Sequence, residues 1–144
     1  MPVTRILWVD DEIESLQSQI IFLQNKGYEV LPVSNGFDAI EVVKQQYIDA
    51  VLMDESMPGI SGLQTMLKLK EINKLLPVIL VTRNDTESLM DEAIGSEIAD
   101  YLIKPVNPQQ VLLSLKRALA LAFSLHLFSF HPTLIWMFEI KHQK

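Results

Sequence analysis

Five short apolar runs, each followed by residues at helical spacing, constrain this 144-residue chain more than any other feature. Arg5 to Val9 is a continuous run of the kind buried on both faces of a parallel sheet. Ile13, Leu16, Ile20 and Leu23 then recur at helical spacing, and Gly27 is placed to end that helix. Tyr28 to Val33 reads as a second strand, and Pro32, which has no N–H for a ladder, assigns it to a sheet edge. A helix from about Phe37 to Gln46, with Ile40 and Val43 inward, leads to a third strand from Ile48 to Met53. Glu55 to Gly62 is a loop by its proline and glycines, and Leu63, Met66, Leu67 and Leu69 mark the helix after it. Pro77 opens a fourth strand, Val78 to Val81, which ends at Thr82 and precedes a helix from about Thr86 to Ile94. Asp100 to Ile103 is the fifth strand; Asn107 as cap and Pro108 as first helical residue start a fifth helix. The alternation predicts an α/β fold, a doubly wound five-stranded parallel sheet flanked by five helices, with right-handed crossovers.

Composition narrows the chemistry. A hydrophobic share of 49% against 21% charged residues excludes disorder for most of the chain, and the length suits one domain with its own core. Without cysteine there is no disulfide, thiolate nucleophile or Cys-based metal site. The histidines, His126, His131 and His142, lie outside the alternating region, which argues against a His-dependent active site there. A net charge of −6 argues against nucleic-acid binding by this chain alone. The first apolar run stops at Asp10-Asp11-Glu12, too soon for a signal peptide, so a cytoplasmic location is expected.

Polar residues gather where the strands end. Asp10 and Asp11 follow the first strand, Asp54 the third, Thr82 the fourth and Lys104 the fifth. In an open parallel sheet ligands bind at those carboxyl ends, near the topological switch point. Three carboxylates on one rim repel one another and raise their own pKa values unless a cation joins them. Mg²⁺, a hard ion that takes oxygen ligands and keeps several waters, fits such a cluster. Lys104 supplies a point charge and Thr82 a hydroxyl donor for a phosphoryl group, and Asp54 can act as the nucleophile. Taken singly, each residue has an ordinary reading: a helix-capping loop, a strand terminus, a surface lysine. Their joint placement at successive strand ends favours a site.

Four pieces together resemble the receiver domain of response regulators, the CheY-like fold, over about residues 4–117. They are Val9-Asp10-Asp11-Glu12, Met53-Asp54-Glu55-Ser56-Met57-Pro58-Gly59 with Gly62, Val81-Thr82, and Asp100-Tyr101-Leu102-Ile103-Lys104-Pro105. The resemblance implies that Asp54 is the phosphoacceptor for a sensor histidine kinase. It implies that Asp10, Asp11, Asp54 and the carbonyl of Ser56 hold Mg²⁺, and that Lys104 and Thr82 contact the phosphoryl oxygens. It further implies a cis Lys104–Pro105 peptide, a switch involving Thr82 and Tyr101, and output to an effector protein or domain, with dimerisation a common form of output.

The sequence also departs from that family. Glu97-Ile98 stand where Gly-Ala is usual, and Gly95 is expected to take over the helix-ending role. Arg83 follows Thr82 where a small residue is usual, a long cation placed to alter access to the site, and Val106 follows Lys104-Pro105 where an aromatic is common. Trp8, Asp54 to Gly59 and Gly95 to Asn107 are similar to the N-terminal receiver of PorX-like regulators, tied in Bacteroidetes to type IX secretion. There the receiver precedes an alkaline-phosphatase-like effector domain, which this sequence does not contain. Haloacid-dehalogenase-like phosphatases also form an aspartyl phosphate, but on an Asp-x-Asp pattern after the first strand, where this chain has adjacent Asp10-Asp11. A pseudo-receiver would not need the full residue set.

The C-terminus reads differently. Ala118 to Phe138 contains no Asp, Glu, Lys or Arg, 21 residues flanked by Lys116-Arg117 and by Lys141 and Lys144. The receiver domain is assigned to residues 1–122 and a hydrophobic tail to 123–144. Three readings of the tail compete: membrane contact, a partner-binding or self-packing helix, and the unselected end of a truncated or frame-shifted gene.

Overall fold

A computed structural model describes residues 2–83, 91–92, 95 and 97–130. Its strands are β1 (Arg5–Val9), β2 (Glu29–Val33), β3 (Ala50–Met53), β4 (Val78–Thr82) and β5 (Asp100–Ile103). All pair in parallel, in the order β2-β1-β3-β4-β5. The helices are α1 (Gln17–Asn25), α2 (Gly36–Gln45), α3 (Gly62–Ile72) and α4 (Pro108–Phe130). The doubly wound α/β sheet read from the sequence is therefore the observed one. The helix expected at about 86–94 falls mostly outside the described residues; of that stretch Asp91 and Glu92 are helical.

Side chains alternate across each strand, so one run of sequence feeds two cores. Ile6 and Trp8 of β1 join Leu16, Ile20, Val111 and Leu115 beneath α1 and α4. Leu7 and Val9 join Ala39, Leu63, Met66 and Leu69 beneath α2 and α3. Each fully buried Leu or Ile contributes roughly 1.5–3 kcal/mol. Trp8 is fully buried, and among the described residues its Nε1–H has no hydrogen-bond partner. The apolar bulk of the indole outweighs that unmet donor.

Local signals place the boundaries. Pro32 does sit on an edge strand, opposite Trp8. Gly27 takes φ +96° after α1, and the N–H of Tyr28 donates back to the carbonyl of Leu23, closing the helix. The first helical segment opens as a 3-10 turn (Ile13–Leu16) with no side-chain cap, since Asp10 and Asp11 serve the rim. Asn35 caps α2 through the N–H of Asp38, and Ser61 and Gln64 form a capping box on α3.

The expectation for Gly95 needs correction. Gly95 is helical, and the residue in the left-handed region before β5 is Glu97, at φ +62°. The fold keeps the backbone conformation that suits glycine although the residue is glutamate. That conformation costs a residue with a Cβ about 1–2 kcal/mol. Glu97→Gly is expected to raise stability by about 1 kcal/mol in urea titration, despite losing an attraction to Lys70. A loss of stability would mean that the Lys70 contact outweighs the backbone strain.

Helix α4 packs through Val111, Ser114, Leu115 and Ala118, the i, i+3, i+4, i+7 stripe of a core-facing helix. Ser114 Oγ donates to Asp100 Oδ2 at 2.6 Å and fixes the helix against β5. The helix continues without a break through Ala122 to Phe130, and beyond Ala118 it emerges from the core, with Leu121, Phe123 and Leu125 exposed. Pro108–Leu127 is long and apolar enough to cross a membrane by length and composition alone, but its first half is committed to the domain core.

Candidate functional site

The switch point of this sheet lies between β1 and β3, because the chain winds outward to β2 on one side and to β4 and β5 on the other. Asp10 and Asp54 stand directly after those two strands and extend their ladders: Asp10 N–H donates to the Val33 carbonyl at 3.0 Å and Asp54 N–H to the Val9 carbonyl at 2.9 Å. Both carboxylates are thus fixed by sheet register rather than by a loop. Asp10 is fully buried, Asp54 is 5% exposed, and Asp11 faces solvent. One carboxylate oxygen from each lies within 4.8 Å of the others.

Lys104 reaches this cluster from the end of β5. Its Nζ donates to Asp10 Oδ2 at 2.5 Å and lies 3.7 Å from Asp54 Oδ1, with its side chain 10% exposed. The N–H of Lys104 donates to the Thr82 carbonyl at 2.8 Å, which ties the β5 end to the β4 end, and the Lys104–Pro105 peptide is cis. Thr82 is buried at the same rim. Asp11, Glu12, Asp54, Ser56, Thr82, Arg83 and Lys104 enclose a cavity of about 130 Å³.

Burial raises the proton affinity of Asp54 most; Lys104 lowers it, Asp10 and Asp11 raise it again, and the backbone N–H of Ser56 lowers it. The net result is a pKa of about 6. A carboxylate held against this much desolvation and like charge is short of positive charge, which fits a hard divalent ion bound by Asp10, Asp11 and Asp54. Ser56 borders the same cavity.

The loop after Asp54 is held by Glu55 and Gly62, two residues of the receiver-like motif to which the sequence assigned no role. Glu55 Oε2 accepts from the Leu63 N–H at 2.8 Å at the start of α3, and the Glu55 carbonyl accepts from the Gly62 N–H at 3.0 Å. A Cβ on Gly62 would stand 2.3 Å from the Asp54 carbonyl oxygen and 2.9 Å from Glu55 Cα, both backbone atoms that cannot swing aside. Gly62→Ala is therefore expected to cost about 3 kcal/mol in chemical denaturation and to displace Asp54 from its partners. Unchanged stability would mean that the loop relaxes freely.

Tyr101 lies on β5, three residues before Lys104. Its ring is half-buried and packs against the core cluster that holds Met53 and Leu80. Glu12, another residue of the matching motif with no role assigned from sequence, pairs its carboxylate with Arg83 at 2.9 Å. Nothing in the local sequence signals a partner 71 residues away.

Comparison with known proteins agrees with this geometry. The sequence model of the family described as response regulator receiver domain matches residues 6–116. Protein PilH of Pseudomonas aeruginosa is 35% identical over 122 residues, which cover 82% of this chain and 99% of PilH. The transcriptional regulatory protein ZraR of Klebsiella oxytoca is 36% identical over 115 residues; the match takes in 80% of this chain but spans only 26% of ZraR. A receiver domain protein from Clostridium thermocellum superimposes with a TM-score of 0.79 at 28% identity, over 85% of this chain and 99% of that one. A CheY-like receiver from Methanospirillum hungatei JF-1 shares the fold, with a TM-score of 0.81 at 24% identity over 85% and 98% of the two chains.

Proposed function

The chain belongs to the response regulator receiver domain family, and on that premise we propose that it accepts a phosphoryl group from a sensor histidine kinase on Asp54. Domains of this family are phosphoacceptors of two-component systems rather than enzymes in the usual sense. The observation that carries the reading is the convergence of Asp54 and Lys104, both nearly buried, on one cavity at the sheet's switch point, with the fully buried Asp10 paired to Lys104.

The chemistry follows from the positions. A carboxylate oxygen of Asp54 attacks phosphorus while the bond to the donor's imidazole nitrogen breaks and its electron pair returns to the imidazole. Lys104 turns from Asp10 to the phosphoryl oxygens, and Thr82 supplies its hydroxyl to them. Asp10, Asp11, Asp54 and the Ser56 carbonyl would hold Mg²⁺, which would supply neutralisation of the charge that accumulates on those oxygens. Thr82 and Tyr101 then shift together, and the face beside β5 exchanges partners, whether an effector protein, an effector domain or a second copy of the chain. This is a population shift biased by local charge.

Similarity at Trp8, Asp54 to Gly59 and Gly95 to Asn107 supports placing the chain beside PorX-like receivers, with a role in regulating type IX secretion. We assign the receiver to residues 1–122, with a cytoplasmic location, and treat 123–144 as a hydrophobic tail.

Incubation with acetyl phosphate and Mg²⁺ tests the central claim by intact mass. The native chain is expected to gain one phosphoryl group, with no gain in Asp54→Ala or in excess chelator. A chain cut after Ala122 is expected to behave as the native one. Uptake by Asp54→Ala would move the acceptor elsewhere, and no uptake by the folded native chain would leave an interaction module without phosphoryl chemistry.

A further inference from the structure

Arg83 Nη2 donates to Glu12 Oε2 at 2.9 Å, joining the end of β4 to the loop after β1. Both side chains are largely solvated, 72% and 50% exposed, so the pair holds weakly and exchanges partners readily. Both also border the cavity that contains Asp54, Thr82 and Lys104. Arg83 and Lys104 in addition line an adjoining groove of about 260 Å³, together with Ser15, Leu16, Gln19, Pro105 and Val106. Two cations thus stand between that groove and the carboxylates.

Charge counting shows why the second cation matters. In the unmodified site three carboxylates face one lysine and the divalent ion they fit, and the charges balance. An acyl phosphate replaces one carboxylate charge with about two on the phosphoryl oxygens, which leaves the site one positive charge short. Glu12, beside the same cavity, then opposes the new group.

We propose that Arg83 is a movable phosphoryl-binding residue: Glu12 holds it at the cavity mouth in the unmodified protein, and it transfers to the phosphoryl oxygens once Asp54 is modified. The inference rests on Asp54 being the acceptor. A guanidinium suits the task because its fork meets two phosphoryl oxygens at once. Seated there, it also covers the mouth. Loss of the phosphoryl group requires a water oxygen to bond to phosphorus as the bond to the Asp54 oxygen breaks. The electron pair of that bond returns to the carboxylate, a proton leaves to solvent, and inorganic phosphate departs. Covering the mouth keeps that water out and lengthens the life of the modified state.

The test uses the full chain, phosphorylated with acetyl phosphate and Mg²⁺, freed of donor, and followed by intact mass. Arg83→Ala is expected to shorten the half-life about tenfold, with Arg83→Lys between the two. Glu12→Ala, which releases the guanidinium beforehand, is expected to speed uptake about two- to fivefold. Thermal midpoints of the variants should match the native one, because the pair is solvated. The Arg83 Nε–H resonance, assigned by its loss in Arg83→Ala, should shift on phosphorylation of the native chain. Equal half-lives for native and Arg83→Ala chains, or a resonance that does not move, overturn this inference alone. No uptake by the native chain overturns it together with the acceptor role of Asp54.

Discussion

At pH 7 without divalent cations, Asp54→Asn is expected to be more stable than the native protein. Burial and the neighbouring carboxylates raise the Asp54 pKa from 3.8 to about 6 in the folded state. The unfolded chain therefore gives up this proton from about pH 4, whereas the folded chain keeps it to about pH 6. Across that window the unfolded state binds fewer protons, so stability falls as pH rises, by up to about 3 kcal/mol. Asparagine has nearly the same shape and carries no charge, so it escapes the penalty. The expected gain at pH 7 is about 1–3 kcal/mol, or roughly 3–10 °C in thermal midpoint. Burial raises the Glu55 pKa as well, and that residue adds a slope of the same sign which the variant keeps. Mg²⁺ should restore the native protein and do little for Asp54→Asn, since binding to the folded state alone stabilises it. Melting curves from pH 4 to pH 8, in chelator and in Mg²⁺, read all of this. A variant less stable than the native chain in chelator at pH 7 would show that Lys104 outweighs burial and repulsion at Asp54.

Lys104→Met is expected to cost about 3–5 kcal/mol in chelator, because it strips the cation from a fully buried partner. Methionine fills much the same volume, so the loss reports charge rather than packing. Asp10 is then left desolvated beside Asp54 and Asp11, where the N–H of Glu12 donates to its Oδ1 at 2.8 Å. Adding Asp10→Asn to Lys104→Met should recover much of the loss, and the double-mutant cycle isolates the pair. Phosphoryl uptake from acetyl phosphate should also fall, by about 100-fold, since a positioned cation on the transferring group is gone. Urea titrations and intact mass measure the two effects. A cost below about 1 kcal/mol would mean that water enters and solvates Asp10, contrary to the burial seen here.

The strands, the parallel winding and the rim residues were legible because each is written locally. Apolar runs such as Arg5 to Val9 declare burial on both faces, Pro32 declares an edge, and Asp10, Asp54, Thr82 and Lys104 follow their strands directly. In a parallel sheet every strand ends on the same side, so position along the chain becomes position in space.

The partners were not written locally. Only the folded sheet brings Lys104 to Asp10 across 94 residues and Arg83 to Glu12 across 71, because their strands, though not adjacent in the sheet, all end on the same rim. Burial, a property of the whole domain, does most to set the proton affinity of Asp54, and the charges gathered by folding adjust it. Likewise Glu97 takes the left-handed turn before β5 while Gly95 stays helical, because the approach to β5 fixes which residue must turn. The sequence by itself determined which groups stand at the rim, through local patterns of hydrophobicity. The tertiary structure decided which of them pair, how strongly they hold their protons and where the backbone bends, because those depend on distances and solvent exclusion that exist only once the chain is folded.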